Sequence, residues 1–447
     1  MTVPTDSRTD DVAPAEAREV MERHLLVDGF DLVLDTEESQ GSWLVDARDG
    51  TRYLDLFTFF ASAPLGMNPP AIVDDPAARA DLAEVARNKP SNSDLMSTHM
   101  ARFVQAFTDV LGDPGLPHLF FIDGGALAVE NALKVAFDWK RQHNAATGRD
   151  PERGTQALHL TGAFHGRSGY TMSLTNTDPT KTALFPTFDW PRIPTPAVRF
   201  PLDDHLDEVR AAEDRAIAAA EEAFAERRDD IACVIVEPIQ GEGGDRHLRA
   251  EFLQRLQALA HRNDALFVLD EVQTGCGLTG TAWAYQQLDL APDVVAFGKK
   301  AQVCGIMAGG RVDEIETNAL RVPSRLNSTW GGNLTDAVRS TYLLRAIERD
   351  GLVPRAARLG AELRTELAGL AARHPVDQVR GRGLMCALDL PDPATRDEVC
   401  RRLFTDEQVL LLPCGERSVR FRPHLAVSVD ELSAGVAALD RILGALT

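Results

Sequence analysis

Several positions along the chain place a reactive or charged side chain directly after an apolar run. Ala265-Leu-Phe-Val-Leu leads into Asp270-Glu-Val-Gln273, so a carboxylate ends what reads as a buried strand. An unpaired charge in such a place is strongly penalised, so Asp270 needs a cationic partner or the N–H groups of a following helix. Val294-Val-Ala-Phe-Gly leads into Lys299 and Lys300. A lysine amine withdrawn from water gives up its proton more readily and then carries the lone pair that Schiff-base chemistry requires. At a surface it would only snorkel past the strand end. Of 47 basic residues six are lysines (Lys89, Lys134, Lys140, Lys181, Lys299 and Lys300), so lysine chemistry has few candidates.

Three further segments carry polar groups at comparable places. Phe121-Ile-Asp-Gly-Gly-Ala126 precedes the helical stretch Leu127 to Arg141, and free N–H groups at Gly125 and Ala126 suit a phosphate. The same Gly-Gly turn joins many strands to helices without binding anything. Phe164-His-Gly-Arg167 follows the run Ala157 to Leu160. Phe164 can stack on a ring and Arg167 can grip a carboxylate in two places, or they can be core filler and a surface charge. Glu242 lies in the glycine-flanked loop Glu237-Pro-Ile-Gln-Gly-Glu242-Gly-Gly244, and from spacing alone it reads as a solvated loop acid.

Gathering these groups requires a frame in which strand ends converge. From about residue 95, short apolar runs alternate with long helical stretches, the rhythm of a doubly wound, mostly parallel sheet, whose ligands sit beyond the carboxyl ends of its strands. The runs are Leu119 to Ile122, Ala157 to Leu160, Cys233 to Glu237, Ala265 to Asp270 and Val294 to Phe297, with Leu206 to Arg228 a solvated helix between them. Phe30 to Leu34 and Ser42 to Gly50 read as strands, with Asp49-Gly50 a hairpin turn. Val379 to Leu390 reads as a hairpin, followed by a helix and a last strand near Ser418 to Arg422. A chain of 447 residues exceeds one ordinary core. The expected division is 1–70 as the N-terminal part of a small α+β domain, 71–325 as a large domain, and 326–447 as the C-terminal part of the small one.

Composition removes other classes. The hydrophobic fraction of 44% is that of a packed globular chain, and a formal charge of −20 disfavours nucleic-acid backbones. Met1 to Glu16 is polar and acidic, a frayed tail rather than a signal peptide. No apolar run of about 18 residues suggests a membrane span. The six cysteines match neither zinc knuckles nor a disulfide framework, so reduced thiols and a cytoplasmic location are expected, with no metal.

Taken together, the motifs from about Phe30 to the end resemble the class III (ornithine/GABA-type) aminotransferases of fold type I, which depend on pyridoxal 5′-phosphate (PLP). In that family an Asp-Glu-Val-Gln element precedes a Gly-Lys element by about the distance that separates Asp270 from Lys299 here. The resemblance implies a Schiff base at Lys299, a ring nitrogen on Asp270, phosphate contacts from Gly125 and Ala126, a ring between Phe164 and Val272, and a phenolic oxygen on Gln273. Asn327-Ser-Thr-Trp-Gly-Gly332 matches the segment that completes the phosphate site of a neighbouring subunit, which implies a homodimer with Thr329 on that phosphate and Asn327 near substrate. Val419-Arg-Phe-Arg-Pro-His424 matches the carboxylate-binding element, placing Arg420 on a substrate carboxylate, Glu242 as its pairing acid, and Arg167 on a distal carboxylate. The chain departs from the family at His424, usually proline, at Gly125-Ala-Leu-Ala128 and at Lys300-Ala-Gln-Val-Cys304. The last two, with Cys276-Gly-Leu-Thr-Gly280 and Phe57-Thr-Phe-Phe-Ala-Ser62, look like the lysine 6-aminotransferase branch. L-Lysine is therefore the expected amino donor and 2-oxoglutarate the acceptor, with other ω-amino acids or an aminomutase reaction as the alternatives.

Overall fold

The computed structural model describes residues 12–446. A seven-stranded sheet runs in the order His118–Ile122, Cys304–Ala308, Val294–Phe297, Leu266–Asp270, Ile231–Val236, Gln156–Leu160 and Arg192–Ile193. Its strands are parallel except Cys304–Ala308, which is antiparallel to both neighbours. The central strands are buried along their whole length, which is why they read as unbroken Val, Ile and Leu runs rather than as alternation.

Alternate residues of these strands feed two separate cores. Cys233, Ile235, Leu266 and Val268 pack with Val129, Leu133 and Trp139 of the helix Gly125–Ala146. Val234, Val236, Phe267 and Leu269 pack with Phe107, Phe224 and Phe252 of the helices Thr98–Leu111, Leu202–Glu226 and Ala250–Arg262. Because the strands are parallel, Gly125, Glu237, Asp270 and Lys299 all follow carboxyl ends on one edge of the sheet.

The chain ends share a second, smaller body of structure. Trp43–Val45 pairs antiparallel with Arg52–Asp55 through the Asp49-Gly50 turn, and Arg52–Asp55 pairs in parallel with Val409–Leu410 from the far end of the chain. An antiparallel sheet orders Asp377–Arg382, Met385–Asp389, Ser418–Phe421 and Leu412–Cys414.

Two expectations are corrected. Phe30 to Leu34 is not a strand: it makes only the isolated bridge Leu34 to Asp46, and its alternating apolar side chains pack beside Phe57 and Leu410 without a partner strand. The acidic start is not uniformly frayed. Residues 1–11 lie outside the described residues, but Pro14–Glu16 forms a 3-10 turn that continues into the helix Ala17–Glu22, where Arg18 pairs with Glu22 and Glu19 with Arg23 one turn apart. Among the described residues no helix is long and apolar enough to cross a membrane.

Candidate active site

A cavity of about 540 Å³ opens at the carboxyl edge of the large sheet, with Asp270, Lys299, Phe164 and Val272 in its lining. Asp270 ends the central strand and is 6% exposed. Its Oδ2 lies 2.8 Å from His165 Nδ1, and its Oδ1 accepts the Val272 N–H at 3.0 Å. Burial opposes a charge on His165, but the bond to Asp270 and that carboxylate's charge outweigh it and hold the imidazole above its ordinary pKa. Beside them Glu237, pushed up to about 7 by burial, accepts the backbone N–H groups of Phe164 and Gly241 at 3.0 Å each. One buried acid thus pins both the turn that presents Phe164 and the loop that carries Glu242.

Lys299 follows Gly298 in the left-handed region (φ 48°), a strain that a non-glycine residue adopts only where its surroundings demand it. Burial first, then the nearby charge of Arg420, brings its amine down to about 8. Lys300 faces elsewhere: it is 2% exposed, donates to the Pro423 carbonyl at 3.5 Å and does not line the cavity.

The helix Gly125–Ala146 begins after Gly124 (φ 99°) without a side-chain cap. Its first-turn N–H groups have no partner within the helix, and Gly125 and Ala126 line the cavity. Gly125 cannot be larger, because a Cβ there would lie 2.9 Å from Val272 Cγ1. A helix start, an aromatic face, a carboxylate and an amine of lowered pKa around one cavity suit a phosphorylated ring with a cationic nitrogen and an electrophilic carbon.

Glu242 is not a solvated loop acid. Its Oε1 accepts from Arg420 Nη2 at 2.7 Å, and Lys181 approaches its Oε2 at 3.7 Å. Burial alone would raise the Glu242 pKa, but Arg420 beside it holds the carboxyl below its usual range. Arg420 is 2% exposed, yet its Nε and Nη1 have no hydrogen-bond partner among the described residues. Its guanidinium carbon sits 6.0 Å from the centroid of the Phe60 ring. Phe60 belongs to four consecutive non-glycine residues, Thr58 to Ala61, all with positive φ. That turn is held by Asp55, which accepts the N–H groups of Phe57 and Thr58, and by Thr58 Oγ1 donating to the Arg422 carbonyl at 2.6 Å.

Arg167 lies exposed in the cavity lining, and Gln273 reaches the cavity while accepting from Arg422 Nε at 3.2 Å. Asn327 and Thr329 do not join this cavity. Both are exposed, in a loop that Ser93 and Lys89 hold through the Ser328 carbonyl and the Trp330 ring. His165, Glu237 and Arg422 carry positioning roles that the motifs alone do not assign. His165 had a signal, since it sits inside Phe164-His-Gly-Arg167, whereas its partner lies 105 positions away.

The family described as Aminotransferase class-III matches residues 27–443. The chain is 62% identical over 426 residues to an L-lysine-epsilon aminotransferase of Amycolatopsis lactamdurans, covering 95% of this chain and 94% of that protein. A solved lysine aminotransferase from M. tuberculosis superposes with a TM-score of 0.96 at 60% identity, covering 98% of this chain and 100% of the other. A PLP-bound amine transaminase from an uncultivated Pseudomonas species superposes with a TM-score of 0.81 at 25% identity, over 94% of this chain and 96% of the other.

Proposed function

Because the chain belongs to the class III aminotransferase family, we propose that it is an L-lysine 6-transaminase, which moves the ε-amine of L-lysine to 2-oxoglutarate and yields 2-aminoadipate 6-semialdehyde and L-glutamate. The observation that carries this reading is the Glu242–Arg420 pair beside Lys299. The carbon that bears the reacting ε-amine has no carboxylate, so a free guanidinium there would lack a counter-charge and repel the cationic donor. Glu242 supplies the missing anion. When 2-oxoglutarate enters, its carboxylate beside the reacting carbon takes the place of Glu242 on Arg420, whose Nε and Nη1 are unpartnered. Arg167, exposed in the lining, takes the distal carboxylate of either substrate.

The cofactor of this family is PLP, and the residues fit it. Asp270 would hold the ring nitrogen, Gly125 and Ala126 the phosphate, Phe164 and Val272 the two ring faces, Gln273 the phenolic oxygen, and Lys299 the reactive carbon. Bound PLP supplies an electron-accepting ring that stabilises negative charge on the substrate carbon. Asp270 is held in position for that ring by a backbone N–H and by His165. Lys299 Nζ, with its pKa brought to about 8, is suited both to attack and to carry a proton between substrate atoms.

We further read the enzyme as a cytoplasmic homodimer with shared sites. Exposed Leu95, Met96 and Trp330 surround the loop of Asn327 and Thr329, which supports burial of that loop against a second subunit's phosphate site. All six cysteines are free thiols, as a reducing compartment requires. We also divide the described residues into a cofactor-binding body, 71–325, and a smaller domain built from those on either side of it.

Incubation of purified protein with L-lysine and 2-oxoglutarate tests the reading. Glutamate and the cyclised semialdehyde are expected in equal amounts. Absence of glutamate, or faster turnover of ornithine than of lysine, would overturn it.

A further inference from the structure

Away from the catalytic edge, a second cavity of about 890 Å³ lies where the Leu202–Glu226 helix, the start of Ala250–Arg262, the loop at Thr279 and the end of Asp377–Arg382 meet. Its charge is unlike that of the rest of the chain, which carries a formal −20. Arg210, Arg249, Arg364 and Arg382 all line it, against a single acid, Glu251, which Arg249 already engages at 2.7 Å. Neither Arg364 nor Arg382 has a carboxylate within ion-pair distance among the described residues. Arg382 has only the amide oxygen of Gln287 at 3.1 Å, and burial together with the charge of Arg364 makes its own charge harder to hold. The half-buried guanidinium of Arg382 and the exposed one of Arg364 thus form a cationic wall that an anion from outside the chain would complement.

Two buried polar groups in the same lining also lack partners. His247 is 6% exposed and Thr279 2% exposed, and neither His247 Nε2 nor Thr279 Oγ1 has a hydrogen-bond partner among the described residues. Burial and the surrounding arginines keep His247 neutral, so it adds no further cation to the lining. Val198, Phe200, Leu206 and Leu248 supply apolar wall. The space is far larger than one oxyanion.

We propose that this cavity is an anion-binding site, separate from the catalytic one, for a small phosphate monoester with an apolar body, whose phosphate is held by Arg364 and Arg382. A dianionic phosphate matches two guanidinium forks, and a planar or aliphatic body fits beside Phe200 and Leu206.

The test is calorimetric titration of the PLP-loaded enzyme with phenyl phosphate, with inorganic phosphate and succinate for comparison. Saturable binding of the ester is expected, tighter than that of inorganic phosphate. Arg364→Gln and Arg382→Gln should each weaken it by about tenfold or more, whereas Arg373→Gln, a surface pair with Asp440, should leave it unchanged. Arg364 is exposed, so its variant remains decisive even if the half-buried Arg382 proves necessary for folding. Lack of saturable binding, equal binding by the Arg364 variant, or succinate binding as tightly as the ester would overturn the proposal.

Discussion

Two acid–cation pairs stand near Lys299, and they are built in opposite ways. Asp270 and His165 meet at 2.8 Å with side chains 6% and 0% exposed, and Asp270 accepts a further backbone N–H from its own strand end. Glu242 and Arg420 meet at 2.7 Å, but Glu242 is 20% exposed, sits in a hairpin loop, and leaves two Arg420 nitrogens without partners. The first pair engages both oxygens of its carboxylate and is rooted in the central sheet, although His165 Nε2 has no partner among the described residues. The second joins a loop to a separate sheet and is satisfied only in part. A buried carboxylate bonded through both oxygens suits a role that never changes, such as orienting a resident ring, whereas a partly exposed loop acid on an arginine with two unpartnered nitrogens can exchange at small cost.

Lys299 lies between the pairs, and its loss should have the largest effect. Lys299→Ala should abolish covalent cofactor attachment and turnover, while Lys300→Ala keeps both; borohydride reduction followed by peptide mapping distinguishes them, and an adduct on Lys300 would reverse the assignment. Removal of the fixed anion comes next. Asp270→Ala should retain some PLP but lower kcat on the order of 10²–10³-fold for lysine and glutamate alike. Near-normal turnover would reduce Asp270 to a group that only holds the turn at Val272.

The movable pair should give an asymmetric result. Single-turnover rates of Glu242→Gln should fall about tenfold more with lysine than with glutamate, because only the lysine half-reaction needs Arg420 covered. Equal losses in both halves would end the distinction between fixed and movable pairs. The smallest effect concerns pH. With the folded amine near 8 instead of 10.5, its charged form is disfavoured, and the reactive neutral form grows as pH rises through about 8. Reloading of cofactor-free enzyme with PLP, followed by absorbance, should accelerate across pH 7 to 9 (roughly one unit either side of that value) and then level off. A profile still rising steeply above pH 10 (roughly the ordinary lysine value) would show an unperturbed amine.

Much of this arrangement was legible because the chemistry hangs on buried parallel strands. A run such as Ala265 to Leu269 announces itself by composition, and the residue after it is then constrained to the sheet's edge. Cys304–Ala308 escaped notice because a buried antiparallel strand carries the same composition as a parallel one and no turn residue marks its direction. Phe30 to Leu34 misled for the converse reason, since alternation records which side chains are covered and not whether a neighbouring strand exists. The left-handed turn at Thr58 to Ala61 was invisible, since none of its residues is glycine and its conformation is imposed by Asp55 and Arg422. Glu242 looked solvated because its partner lies 178 positions away.

The parallel ladder between Arg52–Asp55 and Val409–Leu410 bears on how the enzyme is made. Leu54 donates to the Gln408 carbonyl, and Arg422 donates to that of Leu56, so the segment that shapes the Phe60 turn has only its local hairpin partner until nearly the whole chain has left the ribosome. The large sheet, whose strands lie between His118 and Ala308, can assemble while synthesis continues, but the N-terminal segment must wait. Contacts of such long sequence separation form slowly, so maturation should be limited by this closure, and chains interrupted before about residue 408 should present the unpaired Arg52–Asp55 edge to chaperones or to one another.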